Sequence, residues 1–390
     1  MSDVDLLLSS IQNNTENDNI LQKTIPTDIL YVSSKWSEFF NNTGEYISQA
    51  INSNKLEEFE NNTSELSMFS GYHCTYSDWL MLPNKEWTIE PHIFEVIENT
   101  RVVKSYLLTH ITLPENDEQR TCIIPSQYCV PAIRCSDDAN QIISESNSFV
   151  LDLISDLPKE LLDFHRIYLH WAEGEIEIKW AKNIANGHKR VEIVKKKADD
   201  KNPWFSHAHD TGCTIKQGQL IVMRKYGLSC RTCVSSYTKT NVSINDGLGY
   251  FFTTPNIEFY VSWLNSAIYL YSVVNNHQII TVGYYKMQIG DFAHVKFPKY
   301  SEFDEPTKTE LIAKWQALAD VKDLPFLPEQ FGAKIIKKRG KPTEIEMCRP
   351  LYERVDLDIA WLKALEIDED KIQPTLDELY AWLREYITTR

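Results

Sequence analysis

The chain has 390 residues, 43% hydrophobic and 12% aromatic, with 10 Trp, 19 Tyr and 16 Phe against only 13 Gly. That supply of apolar side chains is enough for a core, and it excludes wholesale disorder, collagen-like repeats and low-complexity chains. Lys and Arg number 40 against 55 Asp and Glu, a net charge of −15, which is the wrong overall sign for a free-standing nucleic-acid binder.

Charge is distributed unevenly. Residues 1–163 carry 26 acidic and 9 basic groups, residues 164–240 carry 7 and 14, and residues 241–390 carry 22 and 17. A basic middle between acidic flanks concentrates positive potential in one part of the chain. No run approaches 18 consecutive apolar residues, and the N-terminus lacks a basic leader, so neither a membrane span nor a secretory signal is expected. Eight cysteines at this length fit a reduced chain, so a soluble cytoplasmic protein is expected.

In chain order, residues 1–25 are polar and Asn-rich and read as a flexible leader. Trp36, Phe39, Phe40, Ile47, Ile51 and Leu56 recur at helical spacing, so 26–66 reads as a helical linker region. Short apolar runs at Tyr106-Leu107-Leu108 and Cys122-Ile123-Ile124 make 70–135 strand-rich. The pattern predicts helix over 147–171 and a half-buried strand over Glu175–Trp180, then a buried strand at Leu220–Met223. Val261, Leu264, Ile268, Tyr271 and Val274 form one stripe of a buried helix over Ile257–Val274. In the tail, Leu357, Trp361, Leu362 and Leu365 form one apolar face, and Leu376, Leu379, Tyr380, Leu383 and Ile387 another. Thr375-x-x-Glu378 after Pro374 has the form of a capping box, and the pair reads as a helical hairpin.

Four chemistries can be weighed from the residues. His207, His209 and Cys213, followed by Cys230-x-x-Cys233, offer zinc-type donors, but with one C-x-x-C knuckle and an irregular opposite half; scattered structural cysteines are the commoner outcome, and no metal is assigned. Glu175, Glu177 and Lys179 would share one face if they lie on a strand, as a metal-dependent nuclease requires, although such charge triplets are common on edge strands. No G-x-S-x-G elbow or catalytic Cys signature is present. No P-loop or G-x-G-x-x-G is present either, and Gly247-Leu248-Gly249 is too short to count. No catalytic residue is assigned.

The basic middle reads better as a binding surface. Arg224, Lys225, Arg231, Lys239 and Asn241 combine phosphate donors with groups able to read base edges, interleaved with Trp204, Phe205, Tyr226 and Tyr237, whose rings suit base stacking or a core.

The order of segments resembles the C-terminal, target-recognition half of adenine-N6 DNA methyltransferases of the large type II and phage-exclusion restriction-modification kind. The resemblance runs from about residue 30 to 390. It is carried by Lys35-Trp36-Ser37-Glu38-Phe39-Phe40, Phe69-Ser70-Gly71-Tyr72-His73-Cys74-Thr75, Trp87-Thr88-Ile89-Glu90-Pro91, Arg101-Val102-Val103-Lys104, Trp171-Ala172-Glu173-Gly174-Glu175 and Pro203-Trp204-Phe205. Its best block is Tyr260-Val261-Ser262-Trp263-Leu264-Asn265-Ser266, leading to Val282-Gly283-Tyr284-Tyr285-Lys286 and Phe297-Pro298; Glu353-Arg354-Val355-Asp356 opens the closing helices.

The resemblance implies an α+β fold, a mixed β-sheet target-recognition domain over 67–300 (two lobes divided near 150–165), flanked by N-terminal helices and a C-terminal helical region over 301–390. It adds His73, Thr75, Tyr284 and Lys286 to the DNA-facing set. The family's Asn/Asp-Pro-Pro-aromatic motif and Gly-rich S-adenosylmethionine loop are missing from this sequence, which has no Pro-Pro dipeptide, so the pocket that would receive a flipped adenine is missing with them. The expectation is therefore a DNA target-recognition subunit of a split adenine-N6 methyltransferase. It would bind double-stranded DNA and be non-catalytic by itself, while a separate catalytic subunit brings S-adenosylmethionine. The helical ends around Trp36–Phe40 and 357–390 would carry the subunit interface. The competing readings are an acidic DNA mimic or inhibitor, and a nuclease on Glu175, Glu177 and Lys179.

Overall fold

Apolar runs on strands and on helices pack against one another in two cores. The computed structural model describes residues 45–62, 65–72, 76–135, 137–186, 203–206, 215–245, 247–276, 278–281, 284–336 and 344–389. It opens with α1 (Glu45–Ile51), β1 (Leu56–Glu58), β2 (Ser67–Ser70), α2 (Ser77–Leu80) and β3 (Met81–Leu82). A long hairpin follows, β4 (Trp87–Ile97) and β5 (Thr100–His110), then β6 (Thr121–Pro125), β7 (Cys129–Ile133), β8 (Ile143–Ser144) and β9 (Ser148–Leu151). A π-helical turn, His165–Leu169, leads into α3 (His170–Ala185). Next come β10 (Gly218–Met223), β11 (Lys225–Tyr226), β12 (Ser235–Ile244), β13 (Gly249–Thr253), α4 (Ile257–Leu264) and α5 (Ala267–Asn276). The last elements are β14 (Gln278–Thr281), β15 (Tyr284–Lys286), β16 (Lys296–Pro298), α6 (Glu305–Ala319), α7 (Leu327–Gln330), β17 (Ala333–Ile336), β18 (Glu344–Met347), α8 (Tyr352–Ala364) and α9 (Glu369–Thr389). The fold is α+β, as the sequence predicts.

The main sheet runs β2-β13-β10-β12-β7-β9-β3, with β8 also on β12. Its pairs are antiparallel except β12 with β7 and with β8. Leu220–Met223 is buried as expected, because β10 lies between two partners and under helices, where a continuous apolar run is stable. Two cores result. One packs β10, β12 and β13 against α4, α5, α6, α8 and α9 around Trp263, Trp315 and Trp361. The other packs β3, β7, β9 and the base of the β4–β5 hairpin against α3 around Trp87 and Tyr168. Leu151, Leu153, Leu161 and Phe164 all belong to this second core, so its packing continues through the 150–165 stretch.

Three local expectations are corrected. Glu175–Trp180 lies within α3, where Ala172, Ile176 and Trp180 bury one stripe and Ile178 is exposed; the period of four residues prevails over a short alternation. Ser148–Leu151 is strand, a 3₁₀ turn occupies Lys159–Leu161, and α-helix begins only at Leu162. Pro374 lies inside α9, which begins five residues earlier. The Thr375 hydroxyl donates to the Lys371 carbonyl at 2.7 Å and caps nothing.

The buried stripe over 257–274 is two helices, broken at Asn265 and Ser266. The tail forms the expected hairpin of α8 and α9, but Leu357, Trp361, Leu362, Leu376, Leu379 and Leu383 are all buried in the first core. The apolar faces of 357–390 are thus used inside the chain, leaving little for a subunit contact. Trp36–Phe40 lies outside the described residues.

Candidate nucleic-acid interface

Strand β10 ends at Met223, and the chain leaves the main sheet at Arg224 to form a small three-stranded sheet, β11-β15-β14. The Arg224 amide donates to the Leu248 carbonyl at 2.6 Å, and the Arg224 carbonyl accepts from the Met287 amide at 2.9 Å, so backbone on both sides fixes this exit. The Arg224 guanidinium lies 5.8 Å from the Tyr250 ring centre, within cation–π range. Lys225 is exposed and stands directly opposite Lys286 in the antiparallel pair. Tyr284 begins the same strand, β15. Of the residues expected to share a cleft, Lys225, Tyr284 and Lys286 lie on this small sheet, and Arg224 immediately precedes it. No described carboxylate pairs with Lys225 or Lys286.

Lys239 and Asn241 lie elsewhere. On β10 a single residue separates Gly218 from Leu220, whereas their partners Val242 and Tyr237 are five apart on β12. The surplus forms a bulge that exposes Lys239, Thr240 and Asn241. Gln219 stabilises it: its side-chain amide donates to the Lys239 carbonyl at 3.0 Å, and its carbonyl accepts from the Thr238 hydroxyl at 3.3 Å. Bulges re-aim side chains at sheet margins. At about 3.3 Å per residue along β10, this group stands roughly 20 Å from the Lys225 group. Lys216, exposed two residues before β10, falls at the bulge end. The sequence reading passed over it, although it lies in the basic segment just ahead of a buried strand.

Arg231 is a correction. It is 4% exposed, and its guanidinium donates to the Cys233 carbonyl at 3.1 Å and to the Ala139 carbonyl. The 3₁₀ turn Leu228–Cys230 folds it inward, so it ties the β11–β12 connection to the 137–142 loop and offers no donor to a partner. His73 and Thr75 lie outside the described residues.

The remaining candidate chemistry disperses. In α3, Glu175 and Glu177 are two residues apart and point away from each other. Lys179 pairs with Asp78 at 2.5 Å and lies 4.8 Å from the Trp79 ring, so the trio is a helix surface and no nuclease face. Cys230 is exposed and Cys233 buried, and burial pushes the Cys233 thiol up; the two thiols present no common open side. His207, His209 and Cys213 lie outside the described residues. Glu58, Glu60 and His294 bring ligand-type atoms within 4.8 Å of one another. The Glu58 carboxylate is already engaged by His294 at 3.1 Å and Lys296 at 3.4 Å. Burial pushes its pKa up, but these two partners outweigh it and hold the carboxyl below its usual range, as an ion-pair cluster does. Among the described residues, no helix is long and apolar enough to cross a membrane.

No family model matches the sequence, and no curated protein matches it. Among solved structures, the chain is similar to the crystal structure of the type IIG restriction endonuclease BpuSI, with a TM-score of 0.52 and 14% sequence identity. The likeness covers 98% of this chain and 38% of the BpuSI chain, so the present chain spans well under half of that enzyme's length. At this identity the similarity is one of fold.

Proposed function

We propose that the chain is a DNA target-recognition subunit in a restriction-modification system, working with a separate subunit that binds S-adenosylmethionine and methylates adenine. The observation that carries this reading is Lys225 held opposite Lys286 beside Arg224. Like charges directly opposite in a β-pair destabilise the pair, and become favourable when an anion lies across them. A polyphosphate backbone is the anion that suits several such groups at once. In this reading the Lys225 group and the Lys239–Asn241 bulge act at two points on one duplex, the lysines setting register on phosphates and Asn241 reading a base edge. Fold similarity to a restriction endonuclease supports the same direction, as a prior drawn from fold. The test is selection from a random duplex library with the purified chain. Enrichment of one short motif, with affinity falling steeply as salt rises, supports the reading. Absent or salt-independent binding overturns it.

A further inference from the structure

A cavity of about 250 Å³ lies between α9 and the segment that leads from β18 into α8. Val355 of α8 and Leu376 and Tyr380 of α9 give it an apolar lining. Two arginines from distant positions meet there, Arg349 from the connection and Arg384 from α9. Arg384 is half-buried and donates one N–H to the Phe331 carbonyl at 3.0 Å, which holds its guanidinium in place and leaves further donors of the planar fork for a ligand. Arg349 is exposed. Neither arginine has a carboxylate partner among the described residues. Asp377, the acid among the described lining residues, accepts the Gln373 side-chain amide at 2.8 Å through Oδ1. Tyr352 lines the same cavity while 63% exposed.

We propose that this cavity binds a small organic oxyanion, a phosphate or carboxylate carried on a compact apolar body. Guanidinium groups match oxyanions bidentately. Two of them in one cavity with no carboxylate partner repel each other, and an oxyanion between them removes that repulsion. The apolar lining takes the body of the molecule, and the exposed Tyr352 ring offers it a further face. The first turn of α8 borders the same cavity, and its N-cap, Leu351, brings no side-chain acceptor, so the helix end adds positive potential to that of the arginines. Duplex DNA is the poorer occupant. A concave space of this size receives one anionic group, whereas a polyanion needs a strip of cations, and Asp377 would stand against its neighbouring phosphates. The cavity shares no residue with the Lys225–Lys286 pair, and the inference does not rest on the proposed function.

The test is calorimetric titration of the full chain, at constant ionic strength and millimolar ligand, with phenyl phosphate, with benzoate and, as a neutral control, with benzyl alcohol. The expected result is saturable one-to-one binding of at least one anion and none of the alcohol; the tighter anion tells a phosphate site from a carboxylate site. Arg349→Ala and Arg384→Ala should each weaken that binding about tenfold, whereas Arg101→Ala, at an exposed position of β5, should leave it unchanged. Arg349 makes no bond to the described chain, so its variant decides the matter even if loss of the Phe331 contact unfolds the Arg384 variant. No saturable binding of either anion, equal binding of the alcohol, or binding indifferent to Arg349→Ala overturns the inference. A loss of duplex affinity in Arg349→Ala with no small anion bound overturns it too, and assigns the arginine to a DNA surface.

Discussion

Lys225 and Lys286 are direct cross-strand neighbours in the pair β11–β15, and Gln278 of β14 lies on the far side of Lys286. The arrangement sets stability against binding. Lys286→Gln should stabilise the fold by about 0.2–1 kcal/mol of relieved repulsion, read as a slightly higher urea midpoint. It should also weaken duplex binding and reduce the slope of log affinity against log salt by about one. Fluorescence anisotropy across a salt series, alongside urea melts, separates the two effects. A fall in both stability and binding would make Lys286 a structural residue.

Arg224 and Arg231 lie seven residues apart in the same basic segment and have opposite fates. Arg231→Ala leaves the Cys233 and Ala139 carbonyls without their charged donor in a buried site, a loss of about 2–3 kcal/mol. Arg224 is half-buried at a turn, and Arg224→Ala should cost less stability and more DNA affinity. Urea midpoints for the two variants check the ordering, and equal midpoints would contradict it.

Asp358 supplies a pH dependence. It is fully buried in α8, where its carboxylate accepts the Ala267 amide at 2.7 Å and the Tyr380 hydroxyl at 2.7 Å. Burial pushes its pKa up to about 6, against the pull of Arg354 and these two hydrogen bonds. A carboxyl raised in the folded state binds its proton more tightly there than in the unfolded chain. Its contribution is therefore full below about pH 4 and is lost as pH rises to about 6. Asp358→Asn keeps an acceptor and removes the titration. Between pH 4 and pH 7 the stability difference should move in favour of the variant, by up to about 3 kcal/mol. Parallel pH profiles of the two proteins would show no divergence if Asp358 stayed ionised throughout.

What the sequence made legible follows from where packing agreed with local pattern. Leu220–Met223 and the 257–274 stripe are strongly apolar and sit where any compact fold must bury them. Gly71 was visible only as part of a motif, yet its reason is local: a Cβ there would press into the Ile244 carbonyl oxygen, which accepts the Tyr72 amide at 2.5 Å. Glu175–Trp180 misled because six residues can satisfy a period of two while belonging to a longer period of four. Arg231 misled because charge type says nothing of the carbonyls that wait for it, Ala139 being 92 positions away. The β12 bulge was hidden for a related reason, since it exists only relative to the register of β10. The pairing of Lys225 with Lys286 joins segments 61 residues apart and required the fold.

Glu378 illustrates the same non-local logic and yields a sharp test. Its carboxylate accepts the amides of Tyr46 and Ile47, both at 3.1 Å, across more than 330 positions of sequence. It therefore caps the start of α1 and not of its own helix. A helix of seven residues is too short to persist alone, and a carboxylate at its N-terminus satisfies otherwise orphaned donors and favours the helix dipole. Glu378→Ala should cost about 1 kcal/mol, which appears as roughly fivefold faster hydrogen exchange at the Tyr46 and Ile47 amides. Glu378→Gln, which retains an acceptor, should lose less. Thr375→Ala should leave both amides unchanged, because that hydroxyl bonds within α9. If Thr375→Ala accelerated exchange as much as Glu378→Ala, the cap would belong to α9 after all, and the docking of α1 would need another explanation.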